Sequence, residues 1–198
     1  GGIANIIAPN AAFVGIGTGN NNFVNHATNS HITSGAGNRI GIDSACPPGV
    51  NCINTLTNIV GGNSSIISAA SRSTIVGGYV NQIIDIDYAT ILGGAQNWIN
   101  SSTKGNDSYS LIGQGFNNLV QQTSTIKPQY ATILNGNTNI IRPLSNYATI
   151  NGGLNNTISA SSFSQILMGW DNVISNNISI ADQYMGQNTI LNGENSSI

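Results

Sequence analysis

Reduced to its hydrophobic and polar positions, the chain is one short pattern written about ten times. The stretch Ser73-Thr74-Ile75-Val76-Gly77-Gly78-Tyr79-Val80-Asn81-Gln82-Ile83-Ile84 shows it: branched residues, a glycine pair, a lone asparagine, then a second apolar pair. Taking the first strand residue of each unit as its anchor, the anchors are Val14, Ile32, Ile59, Ile75, Ile91, Leu111, Ile133, Ile150, Ile166 and Ile190. Unbroken units are 16 residues long, and the longer intervals carry insertions. Three residues after the anchor stands a glycine in every unit except one, where Gln114 takes its place. Eight residues after it stands Ile or Leu, with Asn22 of the first unit as the exception. Self-similarity at a fixed period of this kind is the signature of a solenoid.

Strand geometry gives the period a shape. Sixteen residues hold two short strands and two turns, and parallel coils stack about 4.8 Å apart through backbone hydrogen bonds. The sequence therefore predicts an all-β, two-sided parallel β-roll of about ten two-stranded coils over residues 11–198, behind an N-terminal lead-in at 1–10. The anchor and the residue eight later are the inward positions, so that like stacks on like. The glycine supplies positive φ at the tight turn, and asparagine tolerates the same region. Six residues after the anchor come Asn20, Asn38, Asn81, Asn97, Asn117, Asn139, Asn156 and Asn172, with Ser65 and Ser196 in two units. These are expected to form a structural ladder of side-chain amides. Tyr88, Tyr130, Tyr147 and Phe163, three residues before their anchors, are expected to stack at a coil corner.

The residue just after the anchor points away from the interior, and in a solitary roll it would be polar. It reads instead Val60, Val76, Leu92, Ile112, Leu134, Leu167 and Leu191, with Gly15, Thr33 and Asn151 as departures. A continuous exposed stripe of this kind marks an interface, and closed association with further copies of the chain would bury it on every protomer.

The units Ser73–Ile84, Ala89–Asn100 ("ATILGGAQNWIN") and Ala148–Ser159 ("ATINGGLNNTIS") resemble the head repeats of YadA-type trimeric autotransporter adhesins. They resemble still more closely the related repeats of viral and phage fibre proteins, and the likeness spans about residues 11–198. The resemblance implies a left-handed roll, a side-by-side homotrimer, and a place outside the cell, on a cell or virion surface.

Every extra residue falls on one connection, at 21–29, 41–55, 100–107, 121–129, 142–146 and 175–187, while the anchor turn keeps its length. Insertions confined to one edge build a binding face or merely face solvent. On the constant turn, Tyr79, Phe116 and Trp170 are candidate receptor-binding residues, which stack on sugars or cover a neighbouring chain. The expected function is attachment to a host cell or matrix, through a glycan or protein receptor engaged at the insertions. A purely structural spacer is the alternative, ahead of a carbohydrate depolymerase or an ice-binding protein. Thr74, Thr90, Thr132, Thr149 and Thr189 precede their anchors, but in single file and broken by Ser110 and Gln165.

Composition narrows the field further. Charged residues make up 6% of the chain and the net charge is −2, so no electrostatic footprint for nucleic acid exists. No apolar run reaches the roughly 18–20 residues of a membrane-spanning helix, so no membrane insertion by this segment is expected. The opening lacks the basic residues of a signal peptide and the chain stops within a repeat, so it reads as a mature form or an excised piece. Cys46 and Cys52 enclose a turn-rich loop that a structural disulfide would close. Asp85 and Asp87 flank Ile86, but two carboxylates fall short of a Ca²⁺ cage, and His26 and His31 lack zinc spacing. No metal, cofactor or catalytic residue is expected, and the chain reads as non-enzymatic.

Overall fold

A computed structural model describes residues 2–41, 54–102, 106–122, 129–175 and 188–198. These residues form a parallel β-solenoid with no helix among them. One ten-stranded sheet, here the anchor sheet, runs from Gly15–Ile16 to Thr189–Glu194, and a second ten-stranded sheet runs from Ile6–Ile7 to Val173–Ser175. Each coil gives one strand to each sheet, and the register is like on like: Ile32 pairs with Ile59, Ile59 with Ile75, Ile75 with Ile91.

The β-branched isoleucines suit this pleated, one-side-buried setting. Ile32, Ile59, Ile75, Ile91 and Ile133 from the anchor sheet meet Ile40, Ile67, Ile83, Ile99 and Ile141 from the second sheet, and all are fully buried. Burying each such side chain stabilises the fold by about 1.5–3 kcal/mol. A narrow third side closes the coil on the variable edge. There Ala27–Thr28 pairs with Asn54–Thr55, and Ala27, Ala70 and Ile86 point inward.

Two anchors differ from the sequence reading. Ile16, not Val14, pairs with Ile32, and Ile112, not Leu111, lies between Ile91 and Ile133. With these two residues as anchors the apparent exceptions vanish. Gly115 replaces Gln114 at the turn, and Asn22 and Asn118 take the ladder position. The first coil then has the basic length, so residues 21–29 are no insertion and hold the strands Phe23–Val24 and Ala27–Thr28. Within the expected lead-in, Ile6–Ile7 pairs in parallel with Phe23–Val24 and so already forms a rung of the roll.

The asparagine ladder is the polar half of the interior. Asn97 illustrates it: its Nδ2 donates to Gly93 O in its own coil (3.0 Å) and to Gly115 O in the next (3.0 Å). Its Oδ1 accepts the backbone N–H of Asn118 at 3.1 Å. Asn38, Asn81, Asn139, Asn156 and Asn172 are likewise fully buried members, joined by Asn5, Asn22 and Asn118. Asn20 and Asn117 are not in the ladder. Asn20 lies on the outer turn, bridged to Ile3 and Ala36, and Asn117 is exposed at φ 55°.

Positive φ, expected of glycine and ladder asparagine alike, falls elsewhere in part. The turn glycine adopts it, as at Gly78 (φ 100°), and so does the residue just before the ladder asparagine, such as Val80, Gln96, Thr138 or Asn155. The ladder asparagines themselves keep negative φ, because their side chains must point inward to reach the backbone of the next coil.

Candidate functional site

Residues three before, one before and one after each anchor share the outer face of the anchor sheet, since side chains alternate along a strand. The first of these columns is a continuous aromatic stack. Tyr88, Tyr109, Tyr130, Tyr147 and Phe163 follow one another with ring centroids 4.7, 5.0, 4.8 and 4.9 Å apart. The rise of the coils brings rings to the separation at which offset stacking is favourable, about 0.5–1.5 kcal/mol per pair. Arg72 continues the column: its guanidinium carbon lies 5.0 Å from the Tyr88 ring centroid and its Nη1 donates to the Tyr88 hydroxyl at 2.8 Å.

The expected stack of Tyr88, Tyr130, Tyr147 and Phe163 is thus present, and Tyr109 belongs to it. Tyr109 was hidden in the sequence by the one-residue slip of its anchor. Counted from Ile112 it stands three residues before, like the others.

The second column reads Thr74, Thr90, Leu111, Thr132, Thr149, Gln165 and Thr189. It is a single file broken by Leu111 and Gln165. Ser110, expected to break it, turns inward and is 3% exposed. Between the two columns runs an open groove of about 340 Å³, lined by Tyr88, Tyr109, Tyr130, Thr90, Thr132 and Leu111, with Ser110 at its base.

The third column holds the stripe expected as a trimer interface. Val60, Val76, Leu92, Leu134 and Leu191 are exposed, from 40% for Val76 to 66% for Leu191, and Leu167 is half-buried. Ile112 does not belong to it. Its side chain is fully buried as the anchor of its coil, and the outward position after it is Gly113. The stripe is therefore interrupted at Gly113 and Asn151.

Tyr79, Phe116 and Trp170 fall in one column on the constant turn, in the order Tyr79, Ala95, Phe116, Asn137, Leu154, Trp170, each bridged to the next. All three are about half exposed. Ala95 and Asn137 separate the rings, so they form no stack among themselves. A further apolar column, which the sequence reading did not single out, lies on the outer face of the second sheet: Ile66, Trp98, Leu119, Ile140 and Val173 stand in register with Gln82 and Thr157 between them. Its signal was the residue preceding each second inward isoleucine. The constant turn is thus flanked by apolar columns on both sheets.

The other candidates have local roles. Asp87 accepts the backbone N–H of Ser71 at 2.7 Å. Asn10 Nδ2 donates to His26 Nε2 at 3.1 Å, and His31 is exposed opposite Gly15. Among the described residues no group of three or more His, Cys, Asp or Glu is placed to hold a metal ion. Cys46 and Cys52 lie outside the described residues, as do residues 42–53, 103–105, 123–128 and 176–187 of the expected insertions. Compared with known proteins, the chain matches no family model and no curated protein.

Proposed function

We propose that this chain is a segment of a non-enzymatic surface fibre or head, assembled side by side as a homotrimer, that attaches its bearer to a host cell or extracellular matrix. The observation that carries this reading is the apolar column Val60, Val76, Leu92, Leu134, Leu167 and Leu191 beside the constant turn. A solenoid that kept this edge in water would lay a row of valine and leucine along its length, and such rows on soluble proteins are covered by a partner. The register repeats from coil to coil, so another copy of the same chain offers a matching row, and cyclic symmetry closes the arrangement without a free edge. The likeness of the repeat units to adhesin and fibre repeats favours three copies and an extracellular place on a cell or virion.

Attachment in this reading works by multiplicity. Three copies of a weak site held together gain avidity without any new contact. The recognition residues lie in the insertions, with Tyr79, Phe116 and Trp170 on the constant turn as further candidates for a glycan or protein receptor. A spacer without recognition is the second reading, favoured by the aromatic stack, in which the ring faces are committed to one another rather than to a ligand.

Sedimentation equilibrium tests the assembly and is expected to give three times the chain mass; a monomer at every concentration would sink it. Beads coated with the chain test attachment. Adhesion to cells or matrix is expected, and its absence would leave the spacer.

A further inference from the structure

We infer that the groove between the tyrosine and threonine columns binds an uncharged linear polysaccharide, laid parallel to the solenoid axis. The inference rests on the attachment reading and gives it a ligand class and a place on the regular part of the molecule, away from the insertions.

The lining decides the chemistry. Tyr109, Tyr130, Thr90 and Thr132 present hydroxyls that make no hydrogen bond among the described residues, and each is both donor and acceptor. Leu111 supplies an apolar patch in the threonine column, between Thr90 and Thr132 of the coils on either side. Among the described residues no charged residue lines the groove. Arg72, the cation that continues the tyrosine column, already donates to the Tyr88 hydroxyl and lies over that ring. Among these residues a sulfated or sialylated chain would find no counter-charge, whereas a neutral sugar would find rows of hydroxyls.

The backbone excludes a peptide strand. Strands Ile86–Ile91, Asn106–Ile112 and Gln129–Ile133 are paired in parallel on both sides, so the sheet face offers side chains and no unpaired ladder for strand addition. Periodicity favours a polymer. The hydroxyl rows repeat at the coil rise of about 4.8 Å, and a diequatorially linked pyranose chain advances by a similar step per sugar, so successive sugars meet equivalent groups. The inner ring faces are covered by their neighbours, which leaves ring edges and hydroxyls toward the ligand. Ring edges carry the positive end of the aromatic quadrupole and suit sugar oxygens. The groove volume of about 340 Å³ accommodates a short run of sugars.

The test is calorimetric titration of the full chain with cellohexaose and chitohexaose, with a heparin hexasaccharide as the anionic comparison. A neutral hexasaccharide is expected to bind and the anionic one not. The double variant Tyr109→Phe, Tyr130→Phe keeps the ring stack and is expected to bind about tenfold more weakly, with unchanged circular dichroism and melting temperature. Leu111→Arg, which puts a long charged side chain across the groove, is expected to abolish binding. No binding of either neutral probe, binding unchanged in both variants, or preference for heparin overturns the inference. So does a loss of oligomer mass in Leu111→Arg, which would make this face a contact between copies. Bead adhesion separates the two readings. Beads that adhere and are not competed by the hexasaccharides overturn the groove while attachment stands; a hexasaccharide that binds a chain whose beads do not adhere upholds the groove while attachment fails.

Discussion

Asn97 and Asn118, 21 residues apart in sequence, are neighbours in the interior: Oδ1 of Asn97 accepts both the backbone N–H and the side-chain Nδ2 of Asn118, at 3.1 and 3.0 Å. Each ladder asparagine thereby satisfies a buried backbone donor of the following coil, which no strand pairing reaches. An apolar residue of similar size would leave that donor unpaired.

Asn97→Ala is accordingly expected to destabilise the fold by roughly 2–4 kcal/mol, the sum of an orphaned buried N–H and lost bonds to two carbonyls. Because coils contact only their neighbours, the damage stays local. Hydrogen exchange is expected to show lost protection at Asn118 while Asn38, several coils away, keeps its protection; uniform loss across both would contradict a local ladder.

Ser65 is the natural gap in the ladder. It is fully buried, its Oγ has no partner, and it is too short to reach the next rung as an asparagine does. Ser65→Asn is expected to stabilise the protein by about 1 kcal/mol by restoring the links toward Gly61, Gly78 and Asn81. A thermal melt checks the sign, and a lower melting temperature would mean that the site lacks room.

Gly77 and Gly78 are adjacent and predict opposite outcomes. A Cβ on Gly77 meets nothing within 4 Å, whereas on Gly78, at φ 100°, it would sit 2.0 Å from the carbonyl oxygen of Gly94. Gly77→Ala is expected to change stability by no more than about 1 kcal/mol, on the stabilising side. Gly78→Ala is expected to cost several times as much, since both the backbone conformation and the coil spacing forbid the methyl group. Urea titration of the two variants side by side distinguishes them.

Ser110 stands in an inward column between Ala89 and Ala131, with a buried Oγ that makes no hydrogen bond. Its counterpart Ser73 does better, donating to Ser71 O and accepting the N–H of Ala89. Ser110→Ala is expected to stabilise by about 1 kcal/mol, and Ser73→Ala to destabilise, both read from melting temperature.

On the apolar edge, if the proposed trimer forms there, Val76→Lys together with Leu92→Lys is expected to leave a monomer without changing the circular dichroism spectrum, because both side chains point to solvent in the single chain. Sedimentation measures the outcome. An oligomer that survives both charges would place the interface elsewhere on the molecule.

Much of this fold was legible because a solenoid is nearly one-dimensional: what each residue does is set by its place in the coil, and the coil recurs often enough to read. The alternation of isoleucine with polar residues determined the strands and their inward faces, and the invariant glycine determined the turn. The register at Ile16 and Ile112 is settled by the pairing between coils. Val14 and Ile16 both face inward, and Leu111 and Ile112 are adjacent apolar residues, so the anchor position alone fits either choice; the misfits at Asn22 and Gln114 were the sequence signal for the other register. A one-residue slip exchanges the two faces of a strand, and at Ile112 it moved a core residue to the surface stripe and hid Tyr109 from its stack. What settles the choice is contact between coils: Asn22 and Asn118 bond into the ladder only in one register. The sequence thus determined the unit, and tertiary structure decided how irregular units align, because hydrogen bonds across coils depend on neighbours that no single unit contains.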